Sequence, residues 1–342
     1  MTLAPPTGRP RPGTPPQAAP SAEALADAAH AALVAEAELT PKPGLVDARG
    51  GGAHHDMDLA LLRASAGTLR DGFAEMARAA HRHGHASQAL REELAALGRA
   101  AEARMMVTTG GVNTHRGAIW ALGLLVAGAA LPPGRPSARE VAARAAAIAR
   151  HPDTACPADA ARTHGAAVHA DYGVHGARGQ ARAAFPHVTD VALPALRAAR
   201  SAGATTATAR LDALLALMAR LDDTCVLHRG GPAGLATVQQ GARRVLAAGG
   251  AATPSGRTAL AALDEQLRTE RLSPGGCADL LAATLLLDGL DGAGRHSGRQ
   301  GRAVLGGLGS HDEHHGPVRP AARGGPAALT HHPAPPPPHE ES

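Results

Sequence analysis

Chemistry in this chain is concentrated in four short junctions rich in glycine or proline: TPKPGLVD (40–47), TTGGVNTHRG (108–117), DDTCVLHRGGP (222–232) and LSPGGCADL (272–280). In the second, Asn113 or Thr114 caps the helix that follows, leaving His115 and Arg116 in its first turn. The helix dipole is already positive there, so two cations are unfavourable unless an anion lies between them. Gly110 and Gly111 would let backbone approach such an anion closely. A plain capped helix with two solvated basic residues reads the same sequence equally well.

The third junction repeats the arrangement. His228, Arg229, Gly230 and Gly231 are expected in a loop leading to a helix that Pro232 starts, aiming cations and free N–H groups at one spot. Asp222 and Asp223 are expected at the C-terminal end of the preceding helix, where the dipole disfavours carboxylates and a bound cation would offset that cost. Hard oxygen ligands of this kind suit Mg²⁺ bridging to a phosphate chain; solvated surface acids are the alternative.

In the fourth junction Ser273 reads as an N-cap with Pro274 at the first helical position. Gly275 and Gly276 then weaken the first turn by about 1 kcal/mol each relative to alanine. Close approach of a ligand or of another helix would offset the loss. Asp279, one turn on, either binds metal or favours the dipole. In the first junction, two prolines hold Lys42 in an extended segment. Lys42 is the only lysine in a chain with 34 basic residues, and Asn113 is the only asparagine. An ammonium kept where arginine is otherwise used fits a compact point charge against phosphate. GGAHHDMD (51–58) follows, with His54, His55 and Asp56 ahead of a helix; Asp56 reads equally as N-cap or ligand.

Composition narrows the class. The 342 residues carry a net charge of +4, with arginines scattered among acids. Four aromatics, Phe73, Trp120, Tyr172 and Phe185, offer almost no stacking platform, which argues against a reader of nucleic acid. Cys156, Cys225 and Cys277 are odd in number and form no metal-spaced pair, so a reduced, cytoplasmic setting is expected. The most apolar run, Gly117–Leu131, has 15 residues and three glycines, shorter than the ~20 that span a bilayer, and reads as a buried helix.

The elements that must position these junctions are helical. Apolar residues recur at three- and four-residue spacing over 22–38, 58–83, 87–106, 114–130, 137–150, 190–221, 233–248, 256–270 and 276–290. Alanine and leucine dominate and β-branched runs are missing. The expectation is one all-α, multi-helix domain over 21–291, between a Pro-rich disordered tail (1–20) and a Gly/His/Pro-rich disordered tail (292–342). No Walker loop, dinucleotide fingerprint, G-x-S-x-G elbow or H-E-x-x-H occurs.

Six segments in order, TPKPGLVD (40–47), GAHHDM (52–57), TGGVNTHRGAIWALGLL (109–125), GARGQA (176–181), DTCVLHRGG (223–231) and LSPGGCADLLAATL (272–285), resemble the motif series of the triphosphoribosyl-dephospho-CoA synthase family. The resemblance covers nearly all of 30–290. It implies an all-α transferase that joins ATP to 3′-dephospho-CoA, releasing adenine and yielding 2′-(5″-triphosphoribosyl)-3′-dephospho-CoA. That product precedes the prosthetic group which a holo-synthase attaches to an acyl-carrier protein of malonate decarboxylase or citrate lyase. The form DTCVLHRGG is more similar to the malonate decarboxylase branch. Partners implied are the two small-molecule substrates and that downstream pathway, with no nucleic acid and no membrane.

The implied displacement needs charge neutralisation for a triphosphate, a carboxylate near the attacking hydroxyl and a donor to the leaving base. On that basis Lys42, His115, Arg116, His228, Arg229, Ser273 and the pairs Gly110–Gly111, Gly230–Gly231 and Gly275–Gly276 are assigned to the nucleotide. Asp223 and Asp279 are assigned to Mg²⁺, and Asp56 is the general base. Asn113 orients a ribose hydroxyl or a phosphate. Three departures from the family pattern stand out: Gln180 replaces the usual Glu, leucines follow GAHHDM in place of an aromatic, and Arg116 replaces the usual Lys. A metal-dependent nucleotide hydrolase and a non-catalytic nucleotide or CoA sensor are the rival readings of the same residues.

Overall fold

A computed structural model describes residues 19–156 and 164–303. The expected disorder of 1–18 and 304–342 lies outside the described residues. Contacts divide the chain into units 1–298 and 299–342. Only 299–303 of the second are described, as the end of a helix.

Among the described residues there are twelve α-helices and no strand: α1 Ala22–Ala37, α2 Leu59–His83, α3 Gln88–Thr108, α4 Arg116–Ala130, α5 Ala138–Arg150, α6 His164–Tyr172, α7 Gly176–Arg182, α8 Leu193–Ser201, α9 Thr206–Met218, α10 Thr224–Ala247, α11 Pro254–Thr269 and α12 Gly275–Ala303. The all-α expectation holds. Where alanine and leucine keep the helical period, the expected ends fall within two residues of the observed ones, because short polar side chains stop the helices. Ser21, Asp58 and Ser87 accept the N–H of Ala24, Leu61 and Leu90, and Ser137 with Glu140 closes a capping box on α5. Asp58, not Asp56, therefore caps α2.

Helix α4 is the centre of the core. Every residue from Ala121 to Ala130 is buried, and the helix packs on α1, α2, α3, α5 and α7. The apolar run is thus a core helix, as its length and glycines imply. Among the described residues no helix is long and apolar enough to cross a membrane.

Four expectations need correction. The segment 190–221 is not one helix: a π turn, His187–Ala192, leads into α8, and α9 begins afresh after Gly203 (φ 86°), capped by Thr205. Helix α10 is two segments: one runs from Thr224, capped by Asp223, through residues 228–230 that were expected in a loop, and after Gly231 breaks it (φ 57°) a second starts at Pro232, as expected. Two short helices, α6 and α7, stand where no periodicity marked them. Finally, α12 runs to Ala303, past the expected boundary at 291.

Candidate functional site

The site is made by helix N-termini converging on two carboxylates. Asp223, buried, caps α10 through Oδ1, which accepts from Cys225 N (2.8 Å) and Val226 N (3.4 Å). Its Oδ2 accepts from Cys277 N (2.8 Å) in the first turn of α12. One carboxylate thus satisfies orphan donors of two helices, which resolves its dipole problem in the opposite sense from expectation: it sits at a positive helix end, not a negative one. Asp279 of α12 accepts from Ala118 N and so serves the N-terminus of α4. Burial raises the pKa of Asp223, with the backbone donors opposing. Burial, then the neighbouring carboxylates of Glu36 and Asp223, hold Asp279 well above the usual carboxylate range.

The glycines of α12 follow from this convergence. A Cβ at Gly276 would lie 3.0 Å from Asp223 Oδ2, and one at Gly275 would lie 3.1 Å from Cys225 Sγ. Approach of another helix is therefore the reason for both. Gly230 faces Leu272, where a Cβ would come within 2.5 Å. Gly110 and Gly111 have positive φ (62° and 92°) with open space where side chains would stand, so the turn after α3 accounts for them.

Lys42 is in this cluster but faces inward. Its side chain is 1% exposed, and Nζ donates to Glu36 Oε1 (2.6 Å) and to the Glu36 carbonyl (2.7 Å). The ammonium is committed to a carboxylate rather than held out to solvent. Its segment is fixed by Lys42 N donating to Asp47 Oδ2 (2.8 Å) and Gly44 N donating to Asp264 Oδ1 (3.0 Å), with Arg49 bridging Asp47 and Asp264. Glu36 and Asp264 escaped the sequence reading; the available signal was a carboxylate on the apolar face of a helix, beside Leu33 and Ala32 in α1 and beside Leu263 and Leu267 in α11.

His115 is buried, and Ser65 Oγ lies 2.7 Å from its Nδ1 and 2.6 Å from Thr114 Oγ1. Burial, then the Lys42 charge, lowers its pKa to about 4. At neutral pH it is a neutral hydrogen-bonding group, not the cation expected. Unfolded, this ring titrates near 6.5; folded, near 4. Between those values the unfolded chain binds the extra proton, so stability falls as pH falls. Urea titrations at stepped pH should show wild type losing about 3 kcal/mol more than His115→Gln between pH 6.5 and 4, at 1.36 kcal/mol per unit.

The remaining assigned residues divide. Arg116 turns to Glu102 of α3 (Nε to Oε1 2.5 Å), and Asn113 Oδ1 accepts from Arg116 N (3.2 Å), but His115, not Asn113 or Thr114 as expected, stands at the N-cap of α4 and makes no side-chain cap bond. His228 is exposed on the first segment of α10. Arg229 Nη1 donates to the Arg271 carbonyl (3.3 Å), while its Nη2 lies 3.3 Å from His54 Nδ1. Ser273 is not the N-cap of α12: Ala278 N donates to the Pro274 carbonyl, and the Ser273 hydroxyl lies 2.9 Å from His54 Nε2. Asp56 is 64% exposed, with Oδ1 3.4 Å from His54 Nδ1. Gln180 pairs with His187 (2.9 Å) at the π turn. The start of α7 reaches the site, since a Cβ at Gly176 would lie 2.9 Å from Thr224 and Trp120 Nε1 donates to the Ala177 carbonyl (3.2 Å).

Among the described residues no group of three or more His, Cys, Asp and Glu side chains is placed to hold a metal ion by itself. A groove of about 640 Å³ between α1 and α9 takes in only Thr40 of the four junctions.

Most of the chain is similar to known proteins. Residues 22–297 match the family described as CitG: ATP:dephospho-CoA triphosphoribosyl transferase. A protein of Stutzerimonas stutzeri (strain A1501) is 58% identical over 274 residues, 80% of this chain and 94% of that protein. One from Pseudomonas aeruginosa (strain UCBPP-PA14) is 58% identical over 268 residues, 78% and 91% of the two chains. One from Azotobacter vinelandii (strain DJ) is 55% identical over 270 residues, 79% and 92%. Each bears the name "Probable 2-(5''-triphosphoribosyl)-3'-dephosphocoenzyme-A synthase". No solved structure matches the chain.

Proposed function

Because the chain belongs to the ATP:dephospho-CoA triphosphoribosyl transferase family and is a transferase, we propose that it moves the triphosphoribosyl group of ATP onto the ribose 2′-hydroxyl of 3′-dephospho-CoA, with loss of adenine. The observation that carries this reading is the meeting of three helix N-termini at Asp223 and Asp279. Positive helix ends are suited to a triphosphate, and Arg229, in the first segment of α10, and Arg116, at the start of α4, add charge. Asn113 and the turn at Gly110–Gly111 hold the approach to α4 in place.

The carboxylates fit Mg²⁺. Burial, then Glu36, then Asp223 raise the pKa of Asp279, which places the three carboxylates near one another. Mg²⁺ is commonly held by one or two carboxylates plus substrate phosphate oxygens, a donor set these two residues and a triphosphate supply. When bound, the ion supplies charge neutralisation for the phosphate chain. Lys42 acts beneath, pairing with Glu36.

Incubation with ATP, Mg²⁺ and 3′-dephospho-CoA, followed by mass spectrometry, should give free adenine and the triphosphoribosyl adduct. ADP or AMP with phosphate would mean hydrolysis, and bound but unchanged ATP would mean a sensor; either sinks the proposal. Asp279→Asn should raise the Mg²⁺ concentration for half-maximal rate by about tenfold or more, the effect of losing 1.4 kcal/mol of binding. An unchanged Mg²⁺ titration removes Asp279 as a ligand. The form of residues 223–231 supports service to malonate decarboxylase, and neighbouring genes for its subunits, rather than for citrate lyase, are the expected finding.

A further inference from the structure

We propose that Arg91, stacked on Trp120 and joined by Arg178, forms a second phosphate site, and that it takes the diphosphate of 3′-dephospho-CoA. The inference deepens the transfer reading above and rests on it for the identity of the ligand. It starts from a cation whose burial has no anion to match. Arg91 of α3 is 7% exposed, and its Cζ lies 4.9 Å from the centre of the Trp120 ring.

Among the described residues, none accepts a hydrogen bond from this guanidinium and no carboxylate pairs with it. Nε, alone of its three nitrogens, is sealed from water without a partner, so Nη1 and Nη2 keep a path to the surface. A guanidinium stays charged in proteins and carries five N–H donors, and a buried charge is costly unless it is paired. The aromatic face offsets part of that cost. It leaves the fork of N–H groups, which lies in the guanidinium plane, without an acceptor.

The surroundings favour an anion. Asp153 is already bound to Arg99 (2.8 Å), and Glu92 accepts from Gln88 (2.7 Å) and from Thr154. Burial holds the Arg91 pKa below the ordinary arginine range; Asp153 opposes this, and the charges of Arg178 and Arg99 add to it. Three guanidinium groups thus gather where the two nearby carboxylates are engaged elsewhere. Arg178 is exposed on α7, and the carbonyl of its neighbour Ala177 accepts from Trp120 Nε1 (3.2 Å). The ring is therefore held between α3 and α7, and it fixes the plane of Arg91 beneath them.

Position relates this cluster to the two carboxylates. Trp120 is three residues beyond Gly117, which faces Asp279, and four beyond Arg116, so the three share a side of α4 within about 6 Å along its axis. Gly176, at the start of α7, stands against Thr224, the residue after Asp223. The transfer joins two nucleotides, each with a phosphate chain on its own 5′-carbon. Its new bond links C1′ of one ribose to O2′ of the other, so two riboses separate the triphosphate from the diphosphate. Two anion sites are needed. With the triphosphate at the helix N-termini around Asp223 and Asp279, Arg91 and Arg178 are reached one turn further along α4. A diphosphate presents the paired oxygens that an arginine fork takes.

Titration calorimetry on the full chain, with 3′-dephospho-CoA and ATP as separate ligands, tests the assignment. Arg91→Gln should weaken 3′-dephospho-CoA by about 10–100-fold, the effect of losing hydrogen bonds to a charged group, and leave ATP unchanged. Arg91→Lys, which keeps the charge without the fork, should fall between, and Arg178→Ala should weaken the same ligand by a smaller factor. In the steady state KM for 3′-dephospho-CoA should rise while kcat is kept. If Arg91→Gln weakens ATP instead or as much, the assignment to 3′-dephospho-CoA is overturned. If it weakens neither, Arg91 only packs on Trp120 and the site does not exist. Should Arg91→Gln not fold, Arg91→Lys and Arg178→Ala enzymes with wild-type affinity for 3′-dephospho-CoA overturn the inference equally. A wild type that binds this ligand with the expected sensitivity but forms no adduct supports the site and ends the transfer reading. A wild type that neither binds nor consumes it overturns the site outright.

Discussion

Replacing Lys42 with methionine should lower the unfolding free energy by about 3–5 kcal/mol, the usual result of leaving one member of a buried ion pair without its partner. Lys42 is 1% exposed and its Nζ bonds Glu36, through the carboxylate at 2.6 Å and the carbonyl at 2.7 Å. Methionine fills much of the same space, so the loss would come from Glu36, which keeps its burial and loses its cation. Glu36 is also one of the two carboxylates that raise the pKa of Asp279. Without the lysine, three carboxylates share one corner of the core with no ammonium among them. Urea unfolding at pH 7 measures the loss directly.

Two further variants separate charge from shape. Lys42→Arg keeps the charge but brings a larger planar head into a fully enclosed site, so it should fall between wild type and methionine in stability. Full activity in that variant would rule out a chemical requirement for lysine. In Glu36→Leu combined with Lys42→Met, both charges leave together, and the double variant should recover most of the stability that Lys42→Met loses. A double variant as unstable as the single one would mean that Lys42 acts through packing instead.

The reach of the sequence can be judged at these same residues. Helices α1 to α5 were legible because alanine and leucine recur at helical spacing and because serine or aspartate caps stand at the starts of α1, α2, α3 and α5. Lys42 and Asn113 were conspicuous as singletons against an arginine-rich background, and both lie at the site. Their roles were not legible. The partner of Lys42 is a glutamate on the same stripe as Leu25, Ala29 and Leu33, which helical periodicity presents as core with one polar exception. Asp223 was misplaced because DDT fits the end of one helix as well as the start of the next, and only the N–H groups of Cys225 and Cys277 decide between them. The pairing of His54 with Ser273 depends on tertiary folding alone. Local rules made Ser273 a cap, and a hydrogen bond from a distant loop overrode them.

Gly117→Ala gives the second large effect, and here local propensity and tertiary geometry predict opposite signs. Gly117 is the second residue of α4, and alanine in a helix is about 1 kcal/mol better than glycine. Propensity alone therefore makes the variant more stable. A Cβ at this position, however, would stand 1.9 Å from Asp279 Oδ2 and 2.9 Å from its Cγ. The carboxylate would have to swing away, and in doing so it would release Ala118 N, leaving the N-terminus of α4 uncapped. We expect a net loss of about 1–3 kcal/mol, as for other overpacked sites. The effect on rate should be larger, because a displacement of about 1 Å at a positioned group can cost 10²-fold. Steady-state assays should thus find kcat reduced by at least about 10²-fold. The control is Asp279→Ala with and without Gly117→Ala. Once the carboxylate is gone the added methyl has nothing to strike, so the double variant should match the single one in rate and exceed it in stability by the helix-propensity gain. A Gly117→Ala enzyme of wild-type rate would show that Asp279 does not need the place the glycine leaves for it.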